Sequence, residues 1–63
     1  MDNFKTRLID EKSELEDKLV KLDSFLSSEK VKMIDDVQNA LLHVQSTAMY
    51  TYLQCLKERI KRL

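Results

Sequence analysis

The chain has 63 residues, with 11 basic and 11 acidic side chains and a formal net charge of zero. A chain this short falls below the size at which one hydrophobic core usually suffices, so oligomerisation is the expected route to stability. Gly and Pro, which break helices, are both absent, and the single cysteine, Cys55, cannot close an intrachain disulfide. The composition therefore predicts an all-α protein of a reducing compartment.

The first predicted helix runs from about residue 3 to residue 26, with Asp2 as its N-cap. Its apolar side chains follow one heptad seam, formed by Leu8, Leu15, Leu19, Leu22 and Leu26. Two i,i+4 ion pairs are expected on the opposite, solvated face: Glu14 with Lys18 and Asp17 with Lys21. Helix one is thus expected to pack along one narrow line.

Two small hydroxyl residues, Ser27 and Ser28, provide the expected turn, and the second helix is predicted from about residue 29 to residue 62. Asp35 and Asp36 would then lie about two turns inside that helix. Its length would be about 50 Å, against about 36 Å for the first helix. Folded as an antiparallel hairpin, the first helix would leave part of the second uncovered.

Helix two contains 20 consecutive residues, Val37 to Leu56, without Asp, Glu, Lys or Arg, whereas 22 of the other 43 residues are charged. A surface helix needs a charged face, so this run is expected to be covered on several sides. Twenty residues would span a bilayer, but eight of these are polar and would be costly to bury in lipid. We therefore expect protein, and not membrane, to cover the run.

Two apolar seams follow helix two. One consists of Val37, Leu41, Val44, Ala48 and Cys55, and the other of Leu42, Met49, Leu53, Leu56, Ile60 and Leu63. A single antiparallel partner helix can bury only one seam, so the other is predicted to face another subunit. Tyr50 and Tyr52 lie about 200° apart around the helix, so at least one ring is also expected to face a subunit or a ligand.

The residues offer no catalytic or metal-binding constellation. His43 and Cys55 are separated by about 18 Å along one helix, so they cannot act together within one chain. A phosphate-binding Gly-rich loop is excluded because the sequence contains no glycine. We expect neither an enzyme nor a metal site. Residues 57–63 carry four cations and one anion, and cations at the C-terminal end of a helix are favoured by the helix dipole without any ligand. The chain as a whole is neutral, so it lacks the surplus positive charge of a protein that binds duplex DNA.

Two runs of spaced residues resemble a known family. They are Phe4-x-x-Arg7-x-x-x-Glu11-x-x-Glu14-Leu15-x-x-Lys18-x-x-Lys21-Leu22-x-x-Phe25-Leu26 and Leu41-Leu42-x-x-Gln45-x-x-Ala48-Met49-x-x-Tyr52-x-x-x-Leu56-x-x-Arg59-Ile60. With this pattern the chain resembles the hairpin domain of phage nucleotide sponges, which blunt CBASS immunity and, in relatives, Thoeris immunity. The resemblance implies a compact homo-oligomer, typically a hexamer, in the cytoplasm of the infected bacterial host. It would sequester cyclic di- or trinucleotides without degrading them and without a cofactor.

The resemblance also assigns roles to particular residues. Phe4 would stack on a base, at a position where the family has a tyrosine. Arg7, Lys18 and Lys21 would bind the phosphates of the same ligand, and Arg59 would belong to a separate trinucleotide site at a symmetry axis. The oligomer core would contain Leu41, Gln45, Ala48, Met49, Tyr52 and Leu56. The chain is short for the family, and only a few residues are expected to join its helices. Simpler interpretations remain open, since Phe4 can be an apolar plug and both lysines can pair with neighbouring carboxylates.

Two other functions remain open at the level of sequence. A structural or adaptor coiled coil would receive a partner helix on its second seam and would need neither a stacking aromatic nor phosphate-binding cations. A small DNA-binding regulator would use the basic C-terminal turns, which contain Lys57, Arg59, Lys61 and Arg62. These alternatives differ from a sponge in the ligand that each predicts.

Overall fold

The computed structural model describes residues 3–63 and contains two α-helices joined by a short 3₁₀ helix. Helix α1 spans Phe4–Leu26, the 3₁₀ helix spans Glu29–Met33, and helix α2 spans Asp36–Lys61. The two α-helices pack against each other along their lengths. The predicted all-α hairpin is therefore confirmed.

Helix α1 begins with a side-chain cap. The Asn3 carboxamide oxygen accepts a hydrogen bond from the backbone N–H of Thr6 at 2.8 Å, which satisfies one of the free donors of the first turn. The sequence had predicted Asp2 as the cap, but Asp2 lies outside the described residues and Asn3 performs this role. At the other end, the Ser27 N–H donates to the carbonyl of Asp23 at 3.1 Å.

Helix α2 begins seven residues later than predicted, so the predicted start near residue 29 is wrong. Ser28 caps only the 3₁₀ helix, and Ile34 then adopts an extended conformation that interrupts helical hydrogen bonding. Asp35 caps α2, since its carboxylate accepts from the Gln38 N–H at 2.8 Å. Asp35 and Asp36 thus lie at the positive end of the helix dipole and not two turns inside the helix.

The later start shortens α2 to about 39 Å, compared with about 34 Å for α1. The predicted difference in length is therefore mostly absent, and α1 is long enough to cover most of one side of α2. The connection is also longer than the predicted two-residue turn. It spans residues 27–35, which changes the register in which the helices meet.

The core between the helices consists of leucines. Those with the lowest exposure are Leu8, Leu15, Leu19, Leu53 and Leu56, with Met49 and Ile60 packed against them. Leu56 is fully buried within one chain. Leu56 and Met49 had been predicted in the oligomer core, but they pack inside the hairpin because their seam is the one that faces α1. One cross-helix hydrogen bond adds to this packing, from the Ser46 hydroxyl to the Asp23 carboxylate at 2.7 Å.

The other seam of α2 is uncovered. We call it the outer stripe, and it consists of Val37, Leu41, Val44, Ala48 and Cys55, all exposed in the single chain. The exposed fraction is 68% for Val37 and 66% for Val44, which is high for β-branched apolar side chains. Within residues 3–63, neither helix combines the length and the apolar character needed to cross a membrane.

Candidate ligand-binding site

The open end of the hairpin brings the start of α1 beside the end of α2. A pocket of about 280 Å³ lies between them, and we call it the open-end pocket. Its lining residues are Phe4, Arg7, Leu8, Glu11 and Arg59. The antiparallel packing therefore joins residues that are more than 50 positions apart in sequence into one concave surface.

Phe4 and Arg59 are in direct contact. The guanidinium carbon of Arg59 lies 5.9 Å from the centre of the Phe4 ring, which is within the range of a cation–π interaction. Phe4 lies on the first turn of α1 and is 58% exposed, so part of the ring stays open to solvent. The contact orients an aromatic surface beside a permanent positive charge.

The charges of the open-end pocket favour an anion. Arg7 and Arg59 contribute two guanidinium groups, and Glu11 contributes one carboxylate. Guanidinium groups bind phosphate oxygens through paired N–H donors, whereas a carboxylate only accepts hydrogen bonds. The pocket therefore combines an aromatic surface, two groups suited to phosphate and one acceptor suited to an amino or hydroxyl group.

Three of the five predicted ligand residues meet in this pocket. Phe4 and Arg7 had been predicted to act together, whereas Arg59 had been predicted for a separate site at a symmetry axis. Glu11 was not predicted, although it follows Arg7 by one turn on the same side of α1, and that spacing could have indicated it. Whether these residues bind a nucleotide stays a prediction.

The other two predicted ligand residues lie elsewhere. Lys18 is about 16 Å and Lys21 about 21 Å from Arg7 along the axis of α1, because each residue adds about 1.5 Å to a helix. Lys21 instead lines a second pocket near the connection. One chain therefore cannot bring Phe4 and Lys18 to the same small ligand.

The two lysines do not form the predicted pairs with Glu14 and Asp17. The ion pairs among residues 3–63 are different: Lys12 with Glu16 at 3.0 Å, Lys32 with Glu29 at 2.9 Å and Arg62 with Glu58 at 3.2 Å. Glu16 pairs with Lys12 on another side of α1. The Lys18 and Lys21 ammonium groups are thus exposed and without a carboxylate partner in the part of the chain that the structure describes.

The middle of α2 presents polar and aromatic groups beside the outer stripe. The Gln45 amide lies 3.9 Å from the Met49 sulfur, and Tyr52 is 45% exposed. His43 and Cys55 are both exposed on this helix. Within residues 3–63, the His, Cys, Asp and Glu side chains form no group of three that could hold a metal ion.

Comparison with known proteins gives one result at the level of the family. The search of curated proteins and the search of solved structures each find no match. The sequestin family, in contrast, matches residues 2–62, which is nearly the whole chain and includes both helices and every residue of the open-end pocket. The chain therefore belongs to the sequestin family.

Proposed function

We propose that this protein is a phage immune-evasion sponge. It binds cyclic di- or trinucleotide second messengers in the cytoplasm of the infected bacterial host, withholds them from CBASS effectors and does not degrade them. The observation that carries the proposal is the open-end pocket, where an exposed phenylalanine lies against two arginines. The family name, sequestin, agrees with sequestration as the mode of action.

In the proposed complex, a base stacks on the open part of the Phe4 ring. Such stacking contributes roughly 1–3 kcal/mol per base. Arg7 and Arg59 bind the phosphodiester oxygens, and the Glu11 carboxylate accepts a hydrogen bond from an amino group of the base or a ribose hydroxyl. Among residues 3–63, Glu11 is the one carboxylate that lines the pocket, whereas general acid–base cleavage uses a positioned proton donor and a positioned acceptor together.

The proposed sponge is a homo-oligomer held together by the outer stripe. A compact monomer of 7.5 kDa is expected to expose roughly 4,250 Å² of surface. The single chain exposes 5116 Å², and this excess reflects an elongated hairpin that leaves the outer stripe uncovered. A second copy fits this surface because the outer stripe contains no charged residue. Apolar patches that pair with their own copies are typical of symmetric oligomers.

Calorimetry with a panel of cyclic di- and trinucleotides tests the proposal, with the ligand recovered after the protein is denatured. We expect saturable binding and intact ligand in stoichiometric amounts. Degraded ligand would indicate an enzyme, and a panel without any binding would refute the sponge.

A matched pair of variants tests the pocket itself. Phe4 and Tyr50 are both 58% exposed, but only Phe4 lines the open-end pocket. Replacing Phe4 by Ala should weaken binding by about 5- to 150-fold, which corresponds to the loss of one stacked base. Tyr50→Ala should retain the affinity, and both variants should keep the helical content and mass of the parent protein. Equal losses in the two variants would place the site elsewhere.

The outer stripe also suits a second function, that of an adaptor coiled coil. A partner helix of different sequence would bind across Leu41 and Val44 through apolar contacts. This alternative predicts a monomer that binds no cyclic nucleotide and that becomes more stable when its partner is added. The mass of the free protein and the calorimetric panel together distinguish the two functions.

A further inference from the structure

A second pocket lies at the closed end of the hairpin, and we call it the hinge pocket. Its volume is about 350 Å³, and its lining residues are Lys21, Ser24, Phe25, Ser28 and Lys30. It lies about 30 Å from the open-end pocket, since Phe4 and Phe25 are 21 residues apart on α1. The two pockets share no lining residue, so they are separate sites within one chain.

The hinge pocket is positively charged. Lys21 and Lys30 supply two ammonium groups, and the described residues place no carboxylate in the lining. Two acidic residues adjoin the lining residues in sequence. The Asp23 carboxylate accepts from the Ser46 hydroxyl at 2.7 Å, and Glu29 pairs with Lys32 at 2.9 Å. Neither Lys21 nor Lys30 forms an ion pair within residues 3–63, so both charges are available to a ligand.

Local hydrogen bonds fix the wall of the hinge pocket. The Ser28 hydroxyl donates to the Phe25 carbonyl at 2.7 Å and accepts from the Lys30 N–H at 3.2 Å. The Ser28 N–H also donates to the Phe25 carbonyl at 3.0 Å. The backbone positions of Phe25 and Lys30 are thereby tied together before a ligand arrives, which lowers the entropic cost of binding.

We propose that the hinge pocket is a binding site for a nucleoside monophosphate. A phosphomonoester carries about 1.5 to 2 negative charges at pH 7, which matches the two ammonium groups of Lys21 and Lys30. The Ser24 hydroxyl donates to a phosphate oxygen, and the base packs on the half-buried Phe25 ring. This site does not depend on the proposed function, because it uses none of the residues of the open-end pocket.

Nuclear magnetic resonance of the full chain labelled with ¹⁵N tests this inference. Adenosine 5′-monophosphate is titrated, with inorganic phosphate and adenosine in parallel titrations. We expect saturable shifts of the backbone amides of residues 21–30, with a lower Kd for the nucleotide than for either fragment. Shifts confined to residues 4–11 and 59, no shifts, or a nucleotide that binds no more tightly than phosphate would each overturn the proposal.

Variants distinguish binding at the hinge pocket from nonspecific attraction of the nucleotide to positive charge. The double variant Lys21→Ala/Lys30→Ala should bind the nucleotide at least about tenfold more weakly, because two charge-assisted hydrogen bonds are lost. Lys32→Ala removes a neighbouring positive charge that is already paired and should bind as the parent does. An equal loss in Lys32→Ala would show nonspecific attraction and refute the site.

A last pair of variants distinguishes this site from the proposed function. Phe25→Leu retains an apolar side chain and removes the ring, so it should weaken binding of the nucleotide and not of inorganic phosphate. Phe4→Ala should leave the shifts of residues 21–30 unchanged. Loss of those shifts in Phe4→Ala would contradict an independent hinge site, whereas failure of the cyclic-nucleotide panel alone would refute only the sponge.

Discussion

Replacing Val44 by Glu is expected to dissociate the proposed oligomer. Val44 lies on the outer stripe and is 66% exposed in the single chain. Full burial of a valine contributes about 1.5–3 kcal/mol, so covering this exposed part in an interface contributes about 1–2 kcal/mol per copy. A carboxylate at the same position loses that contribution and adds the penalty of an unpaired buried charge, which is several kcal/mol. An interface that loses about 4 kcal/mol per copy is weakened roughly 1,000-fold.

Light scattering coupled to size exclusion measures this effect over a series of protein concentrations. The parent protein should elute as a multiple of 7.5 kDa, and Val44→Glu should elute as smaller species. Val20→Glu is the matched control, because Val20 is 68% exposed on α1 and lies outside the outer stripe. A monomeric parent protein, or an unchanged mass for Val44→Glu, would refute the assignment of the outer stripe to the subunit interface.

Three further substitutions test the fold and the pocket. Leu56→Ala should lower the free energy of unfolding by about 2–5 kcal/mol in urea denaturation, because it empties the only fully buried side chain among the described residues. Asp35→Ala should cost about 0.5–2 kcal/mol by the same measurement, whereas an unchanged free energy of unfolding would contradict a stabilising Asp35 cap. Arg59→Lys keeps the charge but loses the planar guanidinium, so calorimetry should show weaker cyclic-nucleotide binding, and full affinity would argue against a stacked or bidentate contact.

The hairpin was predictable because its leucines repeat at helical spacing on both helices. The start of α2 was not, because the sequence offers two good caps. Ser28 and Asp35 each have a side-chain oxygen that can accept from a backbone N–H, and residues 29–34 include no Gly or Pro that would exclude a helix. The structure uses both caps in series, Ser28 for the 3₁₀ helix and Asp35 for α2. Local propensity alone cannot rank two such caps.

The site was partly predictable for a related reason. Phe4 and Arg7 are one turn apart, so their proximity follows from helical geometry alone. The position of Arg59 above Phe4 depends on the register between the helices, and the register depends on the length of the connection. A prediction that placed the start of α2 seven residues too early could not give that register. The separation of Lys18 from Phe4, in contrast, followed from the helical rise and was available from the sequence.

If Lys18 belongs to the cyclic-nucleotide site, it must come from a neighbouring copy, because about 21 Å of helix separates it from Phe4 in one chain. Mixing two weakened variants tests this. In an oligomer reassembled from equal amounts of Phe4→Ala and Lys18→Glu, about one quarter of the sites would combine a parental Phe4 with a parental Lys18 from another chain. Calorimetry should then show parental affinity at about that fraction of the sites, although neither variant alone has parental affinity. A mixture without binding would refute a site shared between Phe4 of one chain and Lys18 of another, and a fully active Lys18→Glu variant would exclude Lys18 from the site directly.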